Sequence, residues 1–127
     1  LDWVHFAETV SQHVAALTQQ HIAIFEDHMR SPVVMKLEAK RLAKTLATVD
    51  AALEGQEYLL PSGFSAADIG VGQAVYMAMH FVRLEPFEAL QAWYARISTR
   101  DGFQRSLPPA GTHLYAKSFY EPWQATQ

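Results

Sequence analysis

Cysteine is absent from the 127-residue sequence, which excludes disulfide bonds, thiolate nucleophiles and thiolate metal ligands. A chain of this length is the size of one domain and buries roughly two-thirds of the surface that its unfolded form exposes. Such a core needs no disulfide or metal to hold it together. We therefore expect a single domain over residues 1–127 in a reducing compartment, with the cytoplasm as the default location.

An excess of positive charge and a long apolar run are also missing. Ten Lys and Arg stand against 13 Asp and Glu, and the net charge of -3 disfavours nucleic acid as a partner, because nucleic acid requires a broad basic surface. The apolar stretches are far shorter than the roughly 20 residues of a membrane span, so no membrane partner is expected. The sequence begins with Leu1 inside an amphipathic pattern and without a cap, which indicates a piece of a longer polypeptide.

Six histidines are present, but their spacing does not favour a metal site. A helical metal site needs ligands three or four residues apart. The intervals between His5, His13, His21 and His28 are eight, eight and seven residues. We therefore expect no metal, and the sequence gives no local support for a Ser-His-Asp nucleophile system either.

Glycine and proline are missing from the first 30 residues, where apolar residues recur at spacings of three and four. The stripe consists of Trp3, Phe6, Ala7, Val10, Val14 and Leu17. This pattern predicts a helix, and its drift beyond His21 indicates a bend near residues 18–20. Ser31 and Pro32 are typical of a helix start, and Gly55 of a helix end, so a second helix is predicted over 32–54. Its inner stripe is Met35, Leu42, Leu46, Val49 and Leu53.

The third predicted helix, over 66–82, is apolar nearly all round and must therefore be surrounded by other helices. A fourth helix is predicted from Pro86, and a short one follows Asp101 until the proline pair at 108–109 stops it. The inner face of the fourth helix is Phe87, Leu90, Tyr94 and Ile97. No segment alternates with a period of two, so no strand is expected. The prediction is an all-α bundle of about five helices around a buried central helix.

A single carboxylate, Asp68, lies within the small and apolar run GFSAADIGV at the start of the third helix. Ser65 falls at the N-cap position and Asp68 at N3, which is the spacing of a capping box. Phe64 and Ile69 flank these two residues at N′ and N4, the positions of a hydrophobic staple. We interpret the four residues as a structural element that begins the central helix, with a cap worth about 1 kcal/mol, rather than as chemistry.

With this box at the start of a buried helix, the sequence resembles the C-terminal helical domain of cytosolic glutathione transferases. Three further stretches agree in order and spacing over about residues 1–108. LDWVHFAETV is similar to the opening helix of bacterial members, LEGQEYLLPSGFSAADI to the loop before the core helix, and AWYARISTRDGFQRSL to the closing helices. In that family the box serves folding.

The resemblance implies that the catalytic hydroxyl or thiol belongs to an N-terminal thioredoxin-like domain, which is not in this chain. No catalytic residue is therefore expected here, and glutathione would be the co-substrate of the full-length protein. The expected partners are that missing domain, a small apolar electrophile and a second copy in a homodimer. The family's first helix lines the active-site cleft, so the resemblance makes His5, Thr9 and Gln12 candidates for one wall of the substrate site.

The segment over 109–127 is rich in aromatic residues, including Tyr115 and Phe119. Two interpretations remain open, namely docking on the domain's own surface and a lid over the electrophile pocket. Two functions also remain open for the whole chain. It is either the electrophile-binding half of a transferase or a non-catalytic protein-interaction module of the same fold.

Overall fold

The protein is described by a computed structural model that covers residues 2–109 and 118–120. Within these ranges the chain is all-helical, as predicted. The helices are α1 (Trp3–Thr18), α2 (Pro32–Leu53), α3 (Ala66–Ala78), α4 (Glu88–Ser98) and α5 (Asp101–Ser106). A π turn at Gln19–Ala23 and a 3-10 turn at Asp27–Met29 connect α1 with α2. The α-helix ends at Thr18 and a π turn follows, so the regular helix is interrupted within the region 18–20 where the sequence indicates a bend.

Local signals in the sequence account for several helix ends. Asp2 caps α1, because its Oδ1 accepts the Val4 N–H at 3.1 Å, so the expectation of an uncapped first helix was wrong. Ser31 Oγ accepts the Val34 N–H at 3.2 Å at the start of α2. Gly55 follows that helix with φ of 75°, a conformation that only glycine adopts without strain.

The core forms around α3, which packs most extensively against α1. The predicted inner stripe of α2 is buried, and Ala39 joins it. The largest fully buried apolar side chains are Trp93, Phe81, Leu17, Leu42, Leu46, Leu53 and Leu90. A single hydrophobic cluster joins buried residues from α1 to α4 and fixes the packing of these helices.

Two predicted boundaries need correction. The third helix ends at Ala78 rather than at residue 82, because tight turns follow in which Phe81, Val82 and Leu84 are all buried. One helical face could not bury all three of these side chains together with the core stripe. The fourth helix begins at Glu88 rather than at Pro86.

The start of α4 is capped from a distance. Phe87 stands at its N-cap position and offers no side-chain acceptor. Asp50 of α2 supplies the acceptor instead, because its Oδ1 accepts the Leu90 N–H at 2.9 Å. This bond joins α2 to α4 across 40 residues of sequence, and sequence spacing alone gives no indication of it.

A largely buried hydrogen bond between side chains links α1 to α2. Glu38 Oε2 lies 2.9 Å from His13 Nδ1, and Glu38 Oε1 accepts a bond from Arg41 at 2.7 Å. Burial alone would raise the pKa of Glu38, but the hydrogen bonds and charges of His13 and Arg41 outweigh it, and the pKa is lowered from its usual 4.5. The ionised carboxylate therefore stabilises the junction between the two helices.

We expect Glu38→Gln to lower the free energy of unfolding by about 1 kcal/mol at neutral pH, because it removes a charge-assisted contact. A carboxylate whose pKa is lowered on folding stabilises the fold above its unfolded pKa, and that contribution disappears as the pH falls through the folded value. The difference between wild type and variant should therefore shrink below pH 4.5. Urea unfolding at neutral pH and at about pH 3 measures it. Glu8→Gln, on the exposed side of α1, is the control, and an unchanged difference at both pH values would contradict the assignment.

Candidate functional site

Asp68 is fully buried and accepts four hydrogen bonds. Its Oδ2 accepts the Ser65 N–H at 2.9 Å and the Ser65 hydroxyl at 3.3 Å. Its Oδ1 accepts the Leu59 N–H at 3.1 Å and the Trp93 Nε1–H at 2.8 Å. The Ser65 Oγ in turn accepts the Ala67 N–H at 3.2 Å. The carboxylate therefore closes the reciprocal cap of α3 and also joins α3 to the preceding loop and to α4.

The loop before α3 brings aromatic side chains next to this cap. Gly63 has φ of 112° and closes a turn with the Leu60 carbonyl, which lets the chain reverse just before the helix. Phe64 is half-buried and meets the Tyr58 ring edge-on at 5.9 Å. Ile69 keeps 62% of its surface exposed, and the staple contact between Phe64 and Ile69 stays a prediction.

An open groove of about 900 Å³ runs along α3, the end of α4, and α5. Most of its surface is apolar, and the fully buried Asp68 lies at its base. The other lining residues are Phe64, Ile69, Gly72, Gln73, Tyr76, Met77, Ile97, Arg100, Gly102, Phe103, Ser106, Leu107 and Pro108. A volume of this order suits a drug-sized molecule.

Helical periodicity explains why α3 contributes to both the core and the groove. Its buried stripe includes Val71 and Val75, while Ile69, Gln73 and Tyr76 follow at spacings of four and three on the opposite face. Gly72 lies between the two faces at a close approach to α4. A Cβ atom at this position would come within 2.8 Å of Ile97 Cδ1. The glycine thus keeps α3 and α4 close together beneath the groove.

The groove has a single exposed charged side chain in its lining, Arg100. Its guanidinium carbon lies 3.7 Å from the centre of the Phe64 ring. Among the residues that the structure describes, no carboxylate lies within ion-pair distance of Arg100. Tyr94 lies on α4, where burial and, to a smaller extent, the nearby Tyr76 raise its pKa to about 12. Tyr94 does not line the groove, so the exposed charge in the groove's lining comes from Arg100.

The cleft-wall candidates His5, Thr9 and Gln12 are exposed on α1, and none of them lines the groove. His5 lies 3.0 Å from Asp2, and the Thr9 hydroxyl donates to the His5 carbonyl at 3.3 Å. His5, Thr9 and His13 follow one another at intervals of four residues, and His13 contacts Glu38 of α2. The face of α1 that carries His5, Thr9 and His13 is therefore on the side of α2, and no residue of α1 lines the groove. A substrate-binding role for the three candidates stays a prediction.

Of the two lid candidates, Tyr115 lies outside the described residues. Phe119 packs against the core cluster, with its ring 5.5 Å from His21 and 6.0 Å from Phe81. Its N–H donates to the His80 carbonyl. Burial, with a smaller contribution from Arg30, lowers the pKa of His21, so its ring is neutral at pH 7 and packs as an aromatic ring. Phe119 therefore lies against the domain's own surface and does not line the groove, and a lid role stays a prediction.

Sequence reasoning missed the groove residues from α3 and from the α4–α5 junction. The available signal was the second stripe of α3, where Ile69, Gln73 and Tyr76 recur on the face opposite the core. Arg100 and Phe103 carried no such signal, because they meet α3 only through tertiary packing.

No group of three metal-ligating side chains occurs in the described part of the chain, and no helix described there is long and apolar enough to cross a membrane.

Comparison with known proteins identifies the family. The sequence profile described as "Glutathione S-transferase, C-terminal domain" matches residues 8–96, which is more than half of the chain. A search of curated proteins and a search of solved structures gave no match. The matched region contains α2, α3 and the Asp68 cap, together with most of α1 and α4. The chain therefore belongs to the glutathione S-transferase C-terminal domain family.

Proposed function

We propose that this chain is the electrophile-binding half of a glutathione transferase-like enzyme of the cytoplasm. The observation that carries the proposal is the apolar groove of about 900 Å³ along α3, α4 and α5. Apolar side chains with a few polar groups at fixed positions are typical of small-molecule sites. The groove would hold a small apolar electrophile, while a thioredoxin-like domain would supply the glutathione site.

The proposed roles of the two domains follow from the chemistry of glutathione conjugation. Glutathione must present a thiolate, and the groups that stabilise this charge must be positioned together with the tripeptide and the electrophile. The groove offers an apolar surface and one exposed cation, which suits binding of the second substrate. We therefore expect the chain alone to bind apolar electrophiles without conjugating them, and the thioredoxin-like domain is its proposed partner.

A displacement titration tests the proposal. The neutral fluorescent probe N-phenyl-1-naphthylamine should bind the chain, and 1-chloro-2,4-dinitrobenzene, an apolar aromatic electrophile, should displace it. Ile69→Gln removes apolar surface from the groove and should weaken probe binding several-fold. Leu60→Gln is the matched control. Leu60 is a partly exposed apolar side chain of the same size as Ile69, but it does not line the groove. Absence of probe binding, or equal losses in both variants, would contradict the assignment.

A short stretch of sequence with several exposed apolar side chains, called the apolar patch below, favours a second candidate, an interaction surface. It comprises Phe25, Met29, Val33 and Leu37, with exposed fractions of 88%, 65%, 75% and 45%. Phe25 and Met29 lie in the α1–α2 connection, and the other two lie one turn apart on α2. Exposed apolar side chains that follow one another within a short stretch of sequence are candidates for a contact surface. We propose that the patch joins two copies in a homodimer; in an interaction module it would bind a different protein.

We expect the chain to dimerise at high micromolar concentration, and Val33→Asp to weaken the dimer about tenfold by placing a charge in the interface. The substitution leaves α2 intact, because a carboxylate is favourable in the first turn of a helix. Sedimentation velocity across a concentration series measures both species. Ile69→Gln, in the groove, is the control and should dimerise like the wild type. A monomeric wild type at these concentrations would refute the dimer.

A further inference from the structure

Three aromatic rings from distant parts of the sequence meet beside the connection between α1 and α2. His21 lies in the π turn, Phe81 in the turns after α3, and Phe119 in residues 118–120, which we call the docked segment. The centre of the His21 ring lies 5.5 Å from the centres of both phenylalanine rings, and the two phenylalanines stack at 6.0 Å. Because Phe81 is fully buried, these contacts attach the docked segment to the core.

Two further contacts hold the docked segment. The Phe119 N–H donates to the His80 carbonyl, and the Arg83 guanidinium carbon lies 4.1 Å from the centre of the Tyr120 ring. Neither contact uses a group that gains or loses a proton between about pH 5 and pH 8. Among the three rings that meet, by contrast, His21 is the one whose charge can change in that range.

The surroundings of His21 disfavour a proton on its ring. Burial, with a smaller contribution from Arg30, lowers the pKa of His21 from its usual 6.5. Arg30 is fixed close by, because its guanidinium donates to the His21 carbonyl at 3.3 Å and to the Asp27 carboxylate at 2.9 Å. The other titratable ring beside the contact, that of His80, packs edge-on against Tyr76 at 5.5 Å. A proton on His21 would thus add a second cation beside Arg30 in a half-buried site.

We propose that His21 is a pH-sensitive latch, whose neutral ring holds the docked segment on the core and whose protonation releases it. Release uncovers the ring, so the released state binds a proton more readily than the docked state does. Docking is therefore strongest above pH 6.5, weakens as the pH falls through that value, and is weakest below the lowered pKa of the docked ring. The latch is separate from the groove, which neither His21 nor Phe119 lines.

Amide hydrogen exchange at Phe119, followed by NMR spectroscopy, measures the docking directly. The protection factor is the ratio of the intrinsic exchange rate to the observed rate, so it already corrects for the effect of pH on exchange chemistry. We expect the Phe119 protection factor to fall several-fold between about pH 7 and pH 5.5, with the midpoint of the His21 ring titration. An imidazolium can also attract an aromatic face. Protection that stays constant or rises on acidification would overturn the proposal, as would a Phe119 amide without protection at pH 7.

The variants assign the pH dependence to one side chain. His21→Phe keeps an aromatic ring but cannot be protonated, so the Phe119 protection factor should stay within about twofold over the same pH range. His28→Phe is the matched control, because His28 is an exposed histidine of the same connection, and it should behave like the wild type. If His21→Phe kept the pH dependence of the wild type, another group such as His80 would be responsible, and the latch would be refuted.

The reciprocal experiment measures the pKa of His21 from its ring shifts and does not depend on the His21→Phe variant. Phe119→Ala removes one of the rings that cover His21, and the pKa of His21 should rise towards 6.5. Ser118→Ala changes an exposed neighbour in the docked segment and should leave that pKa unchanged. Melting followed by circular dichroism confirms that each variant is folded. The same pKa of His21 in Phe119→Ala and in the wild type would show that docking and protonation are not linked, contrary to the proposal.

Discussion

Replacement of Asp68 by alanine is expected to lower the free energy of unfolding by about 3 to 5 kcal/mol. The carboxylate is fully buried and accepts from the Leu59, Ser65 and Trp93 N–H groups. Alanine leaves all three donors without their acceptor, and an unsatisfied buried donor costs about 1 to 3 kcal/mol. Urea unfolding monitored by circular dichroism measures the difference.

Ser65→Ala is the comparison for this experiment, because it removes only the serine half of the cap. Its expected effect is about 1 kcal/mol, the value of an ordinary N-cap. Asp68→Asn should fall between the two, since an amide keeps one acceptor oxygen but turns an NH₂ group towards an N–H donor. If Asp68→Ala and Ser65→Ala were equally destabilising, Asp68 would act as a local cap and not as a junction between α3, α4 and the loop.

Replacement of Trp93 by alanine should have an effect of similar size, about 3 to 5 kcal/mol. Among the residues that the structure describes, Trp93 is the largest fully buried side chain, and its indole N–H donates to Asp68 at 2.8 Å. Alanine creates a cavity between α3 and α4 and removes one of the bonds to the buried carboxylate. A thermal or urea unfolding series provides the measurement.

Trp93→Phe separates packing from hydrogen bonding, because it keeps an aromatic ring in the core and deletes the indole N–H. We expect a loss of about 1 to 2 kcal/mol from the smaller ring and the missing bond. In the Asp68→Asn background, Trp93→Phe should lower the free energy of unfolding by less, because the bond between the indole and the carboxylate is already weakened there. Strict additivity of the two changes would show that the indole and the carboxylate are not coupled.

The sequence alone determined the order of the helices. Spacings of three and four in α1 and α2, with Ser31, Pro32 and Gly55 at the ends of α2, are local signals that act within a few residues. They need no partner from elsewhere in the chain. The apolar character of 66–78 on almost every side likewise required a central position for α3. This is why the fold class could be predicted from the sequence.

Tertiary structure decided the rest, because it depends on residues far apart in sequence. The sequence placed Asp68 in a cap, but only the fold brings Trp93 and Leu59 to its second oxygen and so makes it a junction. The inner face predicted for the fourth helix omitted Trp93, although Leu90, Trp93 and Ile97 recur at the helical spacings of three and four and are the buried residues of α4. Asp50 caps α4 across the bundle. The groove depends on Gly72, which allows α3 and α4 to approach, and on the turn that places Arg100 over Phe64. Helical periodicity specifies which residues share a face, whereas packing between helices decides what each face meets.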